Sequence, residues 1–241
     1  MGEIVVSESP TNFGHAEQNE NTAYVFFSAP SDCNAEREAC RELVRELDEI
    51  TSALFGWGVR YLGLETTPPG FGRPQERINE QVRQCDIFVG TLWKRWGTNT
   101  GVFSSGFDEE FRRAEERSRS DLNTPKEQGA KSGEDAGTGW PRILLFFRKV
   151  PDSGLAEPDE QLLKVRAFKE KQGSRYKYEE YADTEGWRRS ARKWLLYYIY
   201  KDLVLVARDA SSASVETAYH RGREDAPRAR AGSPDKDVAD P

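Results

Sequence analysis

Short apolar runs alternate with longer amphipathic stretches along most of the chain, which predicts a sheet of parallel strands joined by crossover helices. The run Ala23–Phe27 is uninterrupted, as expected for a central strand that is covered on both faces. Arg142–Phe147 has the same character. Further strands are predicted at Val59–Glu65, Asp86–Trp93 and Arg175–Tyr181. The expected architecture is therefore an α/β fold, with an open, mostly parallel five-stranded sheet and helices on both faces.

Apolar residues spaced by three or four predict the helices between these strands. The first helix is predicted from Asn34, with Asp32 or Asn34 itself as the N-cap. Its apolar stripe consists of Cys40, Leu43, Leu47, Ile50 and Leu54. Four more helices are predicted: one around Ile78–Val82, one from Ser105 or Gly106 to just before Asn123, one at Gln161–Lys171 and one at Thr184–Arg208.

Three segments differ from this pattern in composition. Residues 1–22 and 211–241 are polar and lack a sustained period, so both are predicted to be disordered. Residues from about 124 to 139 are rich in glycine and charge, which is typical of a mobile surface insertion. Residues 23–210 are therefore expected to form one α/β domain that carries this insertion.

The charge distribution narrows the class of partner. The net charge is -6, and the basic residues are interspersed with acidic ones, unlike the basic stripe of a nucleic-acid-binding protein. No stretch approaches the ~18 apolar residues of a membrane span, and the N-terminus lacks the basic and apolar segments of a secretion signal. We therefore expect a cytoplasmic protein with no nucleic-acid and no membrane partner.

The positions of the cysteines and histidines limit the types of catalytic and metal site that we expect. Cys33, Cys40 and Cys85 form no Cys-x-x-Cys pair and have no nearby histidine, so we expect reduced thiols and no metal, with Cys33 near solvent. His15 and His220 lie in the segments predicted to be disordered, which argues against a Ser-His-Asp triad or a His-ligated metal. Any catalysis is therefore expected to use carboxylates, hydroxyls or thiols.

The topology predicts where a ligand would bind. Open parallel sheets bind ligands at the carboxyl ends of their strands, near the point where the strand order reverses. The loops after Phe27, Glu65 and Trp93 are therefore the expected site region. In the first of these loops, Ser28, Ser31 and the backbone N–H groups form either a phosphate cradle or an ordinary capped turn.

Glu36 is the first acidic candidate. It shares a helix face with Leu43 and Leu47, so its side chain is expected to point inward at the top of the sheet. A buried glutamate needs a partner. Glu36 is therefore either a pocket residue or part of a structural network with the adjacent Arg37 or the backbone.

Helix geometry predicts different environments for two consecutive glutamates on the third predicted helix. If Phe107, Phe111 and Ala114 form the buried stripe, Glu110 lies about 60° from Phe107 and is expected to face the sheet edge. Glu109 lies nearly opposite and is expected to face water. A carboxylate in the first helical turn also suits the helix dipole, so a capping role stays open.

The sequence WKRWG (Trp93–Gly97) lies at the carboxyl end of the third predicted strand. Its aromatic side chains, Trp93 and Trp96, and its cations, Lys94 and Arg95, suit the stacking of a base or the pairing of a phosphate. Packing is the alternative interpretation.

These segments together resemble a family named domain of unknown function 4062, which is similar to Toll/interleukin-1 receptor (TIR) domains and flavodoxin-like in fold. The resemblance rests on VFFSAPSDCNAERE (Val25–Glu38), CDIFVGTLWKRWG (Cys85–Gly97) and SSGFDEEFRRA (Ser104–Ala114). It covers roughly Ala23–Val150, with the motifs in the expected order.

The resemblance implies a catalytic residue. Enzymatic TIR domains cleave the nicotinamide glycosidic bond of NAD with a glutamate on such a helix. Ser105, Phe107 and Glu110 look like their Ser-x-Trp-Cys-x-x-Glu pattern, with Phe107 in place of Trp and Asp108 in place of Cys. Glu110 would then be catalytic, NAD a substrate, and no cofactor would be tightly bound. The nucleotide-binding candidates are Ser28, Ser31, Glu36, Arg37, Trp93, Arg95, Trp96 and Ser105.

Three functional hypotheses follow from the resemblance. The first is an NAD(P) or nucleotide glycohydrolase that acts as an effector in an antiphage defence or signalling system. The second is a non-catalytic adaptor for protein–protein interaction, which forms homo-oligomers or docks on a signalling ATPase. The third is an enzyme similar to nucleoside deoxyribosyltransferases, which also place a glutamate over a nucleoside.

Overall fold

One parallel sheet forms the centre of the protein. The computed structural model describes residues 21–67, 73–123, 139–151 and 158–204. All neighbouring strand pairs are parallel, and the strand order is β2-β1-β3-β4-β5. The strands are β1 (Thr22–Ser28), β2 (Gly58–Leu62), β3 (Ile87–Leu92), β4 (Arg142–Arg148) and β5 (Glu179–Tyr181). This confirms the predicted α/β fold and its five parallel strands, in the order shared by flavodoxin-like proteins.

Within the described ranges, five α-helices connect and follow the strands. They are α1 (Asn34–Phe55), α2 (Pro74–Gln84), α3 (Gly106–Asn123), α4 (Glu160–Gly173) and α5 (Thr184–Tyr198). A π-helical turn, Ile199–Val204, continues α5. Helix α3 runs to Asn123, slightly beyond its predicted end.

Both faces of the sheet are covered by helices. Side chains alternate along β1, so Val25 and Phe27 belong to the core under α1 and α5, whereas Phe26 belongs to the core under α2, α3 and α4. In the first core Trp187 is fully buried, and its ring meets that of Phe27 edge-on with 5.8 Å between centroids. The second core is built around Phe111 and other aromatic rings. Burial on both faces explains the uninterrupted apolar runs of the central strands.

The two edge strands are shorter than predicted. β2 ends at Leu62, because a 3-10 turn at Leu64–Thr66 follows where the prediction continued the strand to Glu65. β5 comprises only Glu179–Tyr181, although the prediction began at Arg175. Each of these strands has a single neighbour in the sheet, so pairing on one side alone sets its length.

The predicted N-cap of α1 is wrong. Cys33 occupies the cap position, and its side chain makes no capping hydrogen bond. Asp32 instead uses one carboxylate oxygen to accept hydrogen bonds from the backbone N–H groups of Lys94 and Arg95, both at 2.9 Å. A tertiary contact has replaced the local one, and Asp32 joins the loop after β1 to the loop after β3.

Several predictions concern residues outside the described ranges. These are the disorder of 1–22 (all but its last two residues) and of 211–241, the insertion near 124–139 (all but its last residue), and the end of the last helix after residue 204. Within the described ranges, none of the helices combines the length and the apolar character needed to cross a bilayer.

The role of Asp32 predicts unequal effects of two neighbouring substitutions. Asp32→Ala removes a charged acceptor from two backbone N–H groups, and should lower the free energy of unfolding by on the order of 2 kcal/mol. Asn34→Ala, at the exposed position that local rules favour as a cap, should change it by less than about 0.5 kcal/mol. Urea unfolding of both variants tests this, and a larger loss in Asn34→Ala would contradict the assignment.

Candidate active site at the carboxyl edge of the sheet

A cavity of about 280 Å³ lies where the strand order reverses. β1 stands between β2 and β3, so the chain leaves it in one direction along the sheet and later returns to its other side. This is the position at which open parallel sheets bind ligands. The polar and aromatic side chains of its wall include Ser31, Arg37, Gln75, Arg95, Trp96 and Glu110.

Glu110 is the carboxylate of this cavity. Its Oε2 accepts a hydrogen bond from Ser28 Oγ at 2.5 Å, and its Oε1 accepts one from Gln75 Nε2 at 2.9 Å. The three residues come from α3, β1 and α2, so three elements fix the carboxylate. Burial raises the pKa of Glu110 above its ordinary value, although the hydrogen bonds from Ser28 and Gln75 and the charge of Arg37 act in the opposite direction.

Arg37 brings positive charge to the cavity wall and ties two loops together. Its guanidinium donates a hydrogen bond to the carbonyl oxygen of Ala29 at 2.5 Å and pairs with the carboxylate of Glu65 at 3.2 Å. It also lies over the ring of Phe27, 5.4 Å from the centroid. Arg37 therefore links the loop after β1 to the turn after β2 beside Glu110.

The prediction that Glu109 faces water is wrong, because its side chain is fully buried. Helix α2 and the loop after β3 cover the face of α3 that the helical-wheel argument assigned to solvent. The donors to the Glu109 carboxylate are Arg73 Nη2 at 2.6 Å, Asn79 Nδ2 at 2.8 Å, Thr100 Oγ1 at 2.9 Å and Arg113 Nη2 at 3.2 Å.

These hydrogen bonds keep Glu109 charged. Burial by itself would raise the pKa of Glu109, but the bonds from Arg73, Asn79, Thr100 and Arg113 together outweigh burial and lower the pKa to about 2. Glu109 is therefore an ionised link between α2, α3 and the loop after β3.

The segment after β3 is held by helix α4. Gln161 Oε1 accepts hydrogen bonds from the backbone N–H groups of Trp96 at 2.8 Å and Gly97 at 3.0 Å. The indole N–H of Trp96 donates to Ser104 Oγ at 2.9 Å, and its ring packs against Phe107. The aromatic face of Trp96 is thus used in packing, while Arg95 remains exposed at the cavity.

The structure brings together six of the nine residues that the sequence singled out. Ser28 lies beneath the cavity and holds Glu110. The other five form part of the cavity wall: Ser31, Arg37, Arg95, Trp96 and Glu110. Their roles in binding or catalysis remain predictions.

The other three residues lie elsewhere. Glu36 is buried and pairs with Arg148 at 3.2 Å rather than with its neighbour Arg37. Trp93 lines a second cavity together with Arg148. Ser105 is buried at the start of α3, where its Oγ accepts a hydrogen bond from the backbone N–H of Asp108 at 3.0 Å.

Sequence reasoning missed two glutamines that shape the site. Gln75 and Gln161 both lie in the first turn of a helix, so their side chains reach the carboxyl edge of the sheet. Nothing local distinguishes them from surface glutamines. The Ser-x-Trp-Cys-x-x-Glu comparison also needs correction, because counting from Ser105 its glutamate falls on Phe111, which is buried in the core. Geometry, rather than this spacing, places Glu110 in the cavity.

The cysteines contribute no reactive thiol to this site. Cys33, Cys40 and Cys85 are all free and buried, so the expectation that Cys33 lies near solvent is wrong. Burial raises the pKa of each thiol, to about 12 for Cys85. In the ranges that the structure describes, no group of three or more His, Cys, Asp or Glu side chains is arranged to hold a metal ion.

A family model described as "Domain of unknown function (DUF4062)" matches residues 24–195. The matched span runs from β1 into α5 and contains the whole Glu110 cavity. No curated protein matches the chain.

The Glu109 network predicts a specific loss of stability in acid. Because its pKa is lowered in the folded state, Glu109 stabilises the fold above its ordinary pKa of 4.5, and this contribution is lost as the pH falls towards 2. Glu109→Gln should lower the free energy of unfolding at pH 7 by on the order of 3 kcal/mol. The difference from the unsubstituted protein should shrink between pH 4.5 and 2.

Chemical denaturation at several pH values measures this difference. Glu116→Gln, which removes an exposed carboxylate from the same helix, is the matched control and should have little effect at any pH. Curves for the unsubstituted protein and Glu109→Gln that stay parallel down to pH 2 would contradict the assignment.

Proposed function

The chain belongs to the family described as domain of unknown function (DUF4062), and on that premise we propose that it is a nucleotide glycohydrolase that cleaves the N-glycosidic bond of NAD or NADP at Glu110. One observation carries the proposal. The carboxylate of Glu110 lies in the wall of a cavity at the reversal point of the strand order, and Ser28 and Gln75 fix both of its oxygens.

Cleavage of this glycosidic bond is stabilised by one fixed negative charge in the site. When the bond between C1′ of the ribose and the nicotinamide nitrogen breaks, the electron pair leaves with the nicotinamide and cancels its positive charge. The ribose carbon becomes oxocarbenium-like, and an ionised Glu110 stabilises it electrostatically. Water then adds to C1′ and loses a proton, so the products are nicotinamide, ADP-ribose and a proton.

The size and charge of the cavity suit part of a dinucleotide. Its volume of about 280 Å³ is close to the ~300 Å³ lower end for small-molecule sites, and is enough for a ribose and one ring. Arg37 and Arg95 lie in the wall and supply positive charge for a neighbouring phosphate.

The adaptor hypothesis is supported separately by exposed apolar side chains at the C-terminal end of α1. Leu54, Phe55 and Tyr200 are 68%, 36% and 43% exposed, and the rings of Phe55 and Tyr200 lie 5.3 Å apart. Exposed apolar side chains of this kind suit a contact with another protein. This surface would serve self-association or docking on a signalling ATPase.

Nicotinamide release from NAD tests the glycohydrolase directly. Purified protein at high concentration should release nicotinamide, and Glu110→Gln should reduce the rate by roughly 100-fold or more, because the stabilising charge is lost. Glu116→Gln should retain the rate. Mass spectrometry of the mixture would detect a covalent glycosyl-enzyme, which a transferase similar to nucleoside deoxyribosyltransferases would form on Glu110.

Thermal unfolding of Glu110→Gln separates catalysis from folding. A raised pKa in the folded state means that ionised Glu110 destabilises the protein at neutral pH, so the variant should be at least as stable as the unsubstituted protein. Equal release by a folded Glu110→Gln would contradict the proposal. No release at any concentration would favour the adaptor.

A further inference from the structure

A second and larger cavity, of about 500 Å³, lies beside the first. It is formed at the carboxyl ends of β3, β4 and β5 and is walled by α4. Its lining includes Trp93, Arg148, Lys149, Arg166, Lys169 and Tyr178. Neither Glu110 nor Arg37 lines this second cavity, so its polar side chains differ from those of the first.

Positive charge is in excess around this cavity. Its four cations face two carboxylates, Glu170 and Glu180. Lys169 pairs with Glu180, and Arg148 pairs with Glu36 beneath the cavity. Within the described part of the chain, Lys149 and Arg166 form no ion pair. Two basic side chains are therefore left to meet a ligand.

A buried hydrogen-bond donor points to the same chemistry. The indole Nε1 of Trp93 is buried and has no acceptor among the described residues. The guanidinium of Arg148 lies over the Trp93 ring, 4.3 Å from its centroid. A buried N–H without an acceptor costs free energy, and an anionic oxygen placed beside it would remove this cost.

We propose that the second cavity binds a phosphate monoester of a sugar or nucleoside. Lys149 and Arg166 would pair with the phosphate, whose charge is about −2 at neutral pH. Trp93 Nε1 would donate to one of the ligand's oxygens. The volume leaves room for a sugar and a ring in addition to the phosphate.

Helix α4 connects this ligand to the first cavity. Arg166 and Lys169 lie on α4, and the same helix carries Gln161, which holds Trp96 and Gly97 at the wall of the Glu110 cavity. Occupancy of the second cavity would therefore stabilise the segment after β3. The binding itself does not depend on the glycohydrolase proposal.

Isothermal titration calorimetry on the full chain tests the binding with ribose 5-phosphate and AMP as probes. Both should bind with one site per chain. The double variant Lys149→Gln/Arg166→Gln should weaken binding roughly tenfold or more. Lys171→Gln, an exposed charge on the same helix, and Glu116→Gln should leave the affinity unchanged.

The variant Trp93→Phe tests whether the Trp93 N–H binds the ligand or whether Trp93 only supports the fold. It keeps an aromatic ring beneath Arg148 and removes the buried N–H together with one ring of the indole, so it should weaken phosphate-ester binding while the free protein keeps a cooperative thermal unfolding transition. Three results would overturn the proposal: no saturable binding of either ester, binding of succinate in their place, or binding lost in Glu110→Gln and retained in the double variant.

Discussion

Two consecutive carboxylates at the start of α3, Glu109 fully buried and Glu110 partly buried, have different partners, and only Glu109 is neutralised by hydrogen-bonded cations. Glu109 receives hydrogen bonds from Arg73 and Arg113, which keep it ionised. Glu110 receives its bonds from the uncharged side chains of Ser28 and Gln75, and burial raises its pKa. Environments that push the pKa values of neighbouring acids apart are typical of sites that assign them different roles. Here Glu109 holds the structure, and Glu110 is the acid that we propose as catalytic.

Glu109 helps to position Glu110. Through Arg73 and Asn79, Glu109 fixes α2 against α3, and α2 carries the Gln75 that holds Glu110. On the other side of the cavity, Asp32 and Gln161 hold the segment after β3 by its backbone N–H groups. The cavity is thus bounded by elements joined through hydrogen bonds, most of which are buried or partly buried, and such bonds keep a site in one geometry before its ligand arrives.

The fold could be predicted from the sequence because its signals are local. Apolar runs mark strands that are covered on both faces, and their parallel order places the candidate site at one edge of the sheet. Glu110 was located for the same reason, since its place beside the apolar stripe of α3 follows from helix geometry alone. The errors at Asp32 and Glu109 have one cause: their hydrogen-bond partners lie up to 63 residues away in the sequence. A helical wheel assumes that the sheet is the only neighbour of α3, whereas α2 and the loop after β3 cover its other side.

The contrast between the two carboxylates can be measured without assuming any reaction. Nuclear magnetic resonance titration of the protein with ¹³C-labelled glutamate side chains, assigned with Glu109→Gln and Glu110→Gln, gives each pKa separately. We expect Glu110 to titrate above the ordinary value of 4.5 and Glu109 near 2. Titration of both groups together near 4.5 would contradict this expectation, and would remove the physical basis for assigning Glu110 a catalytic role.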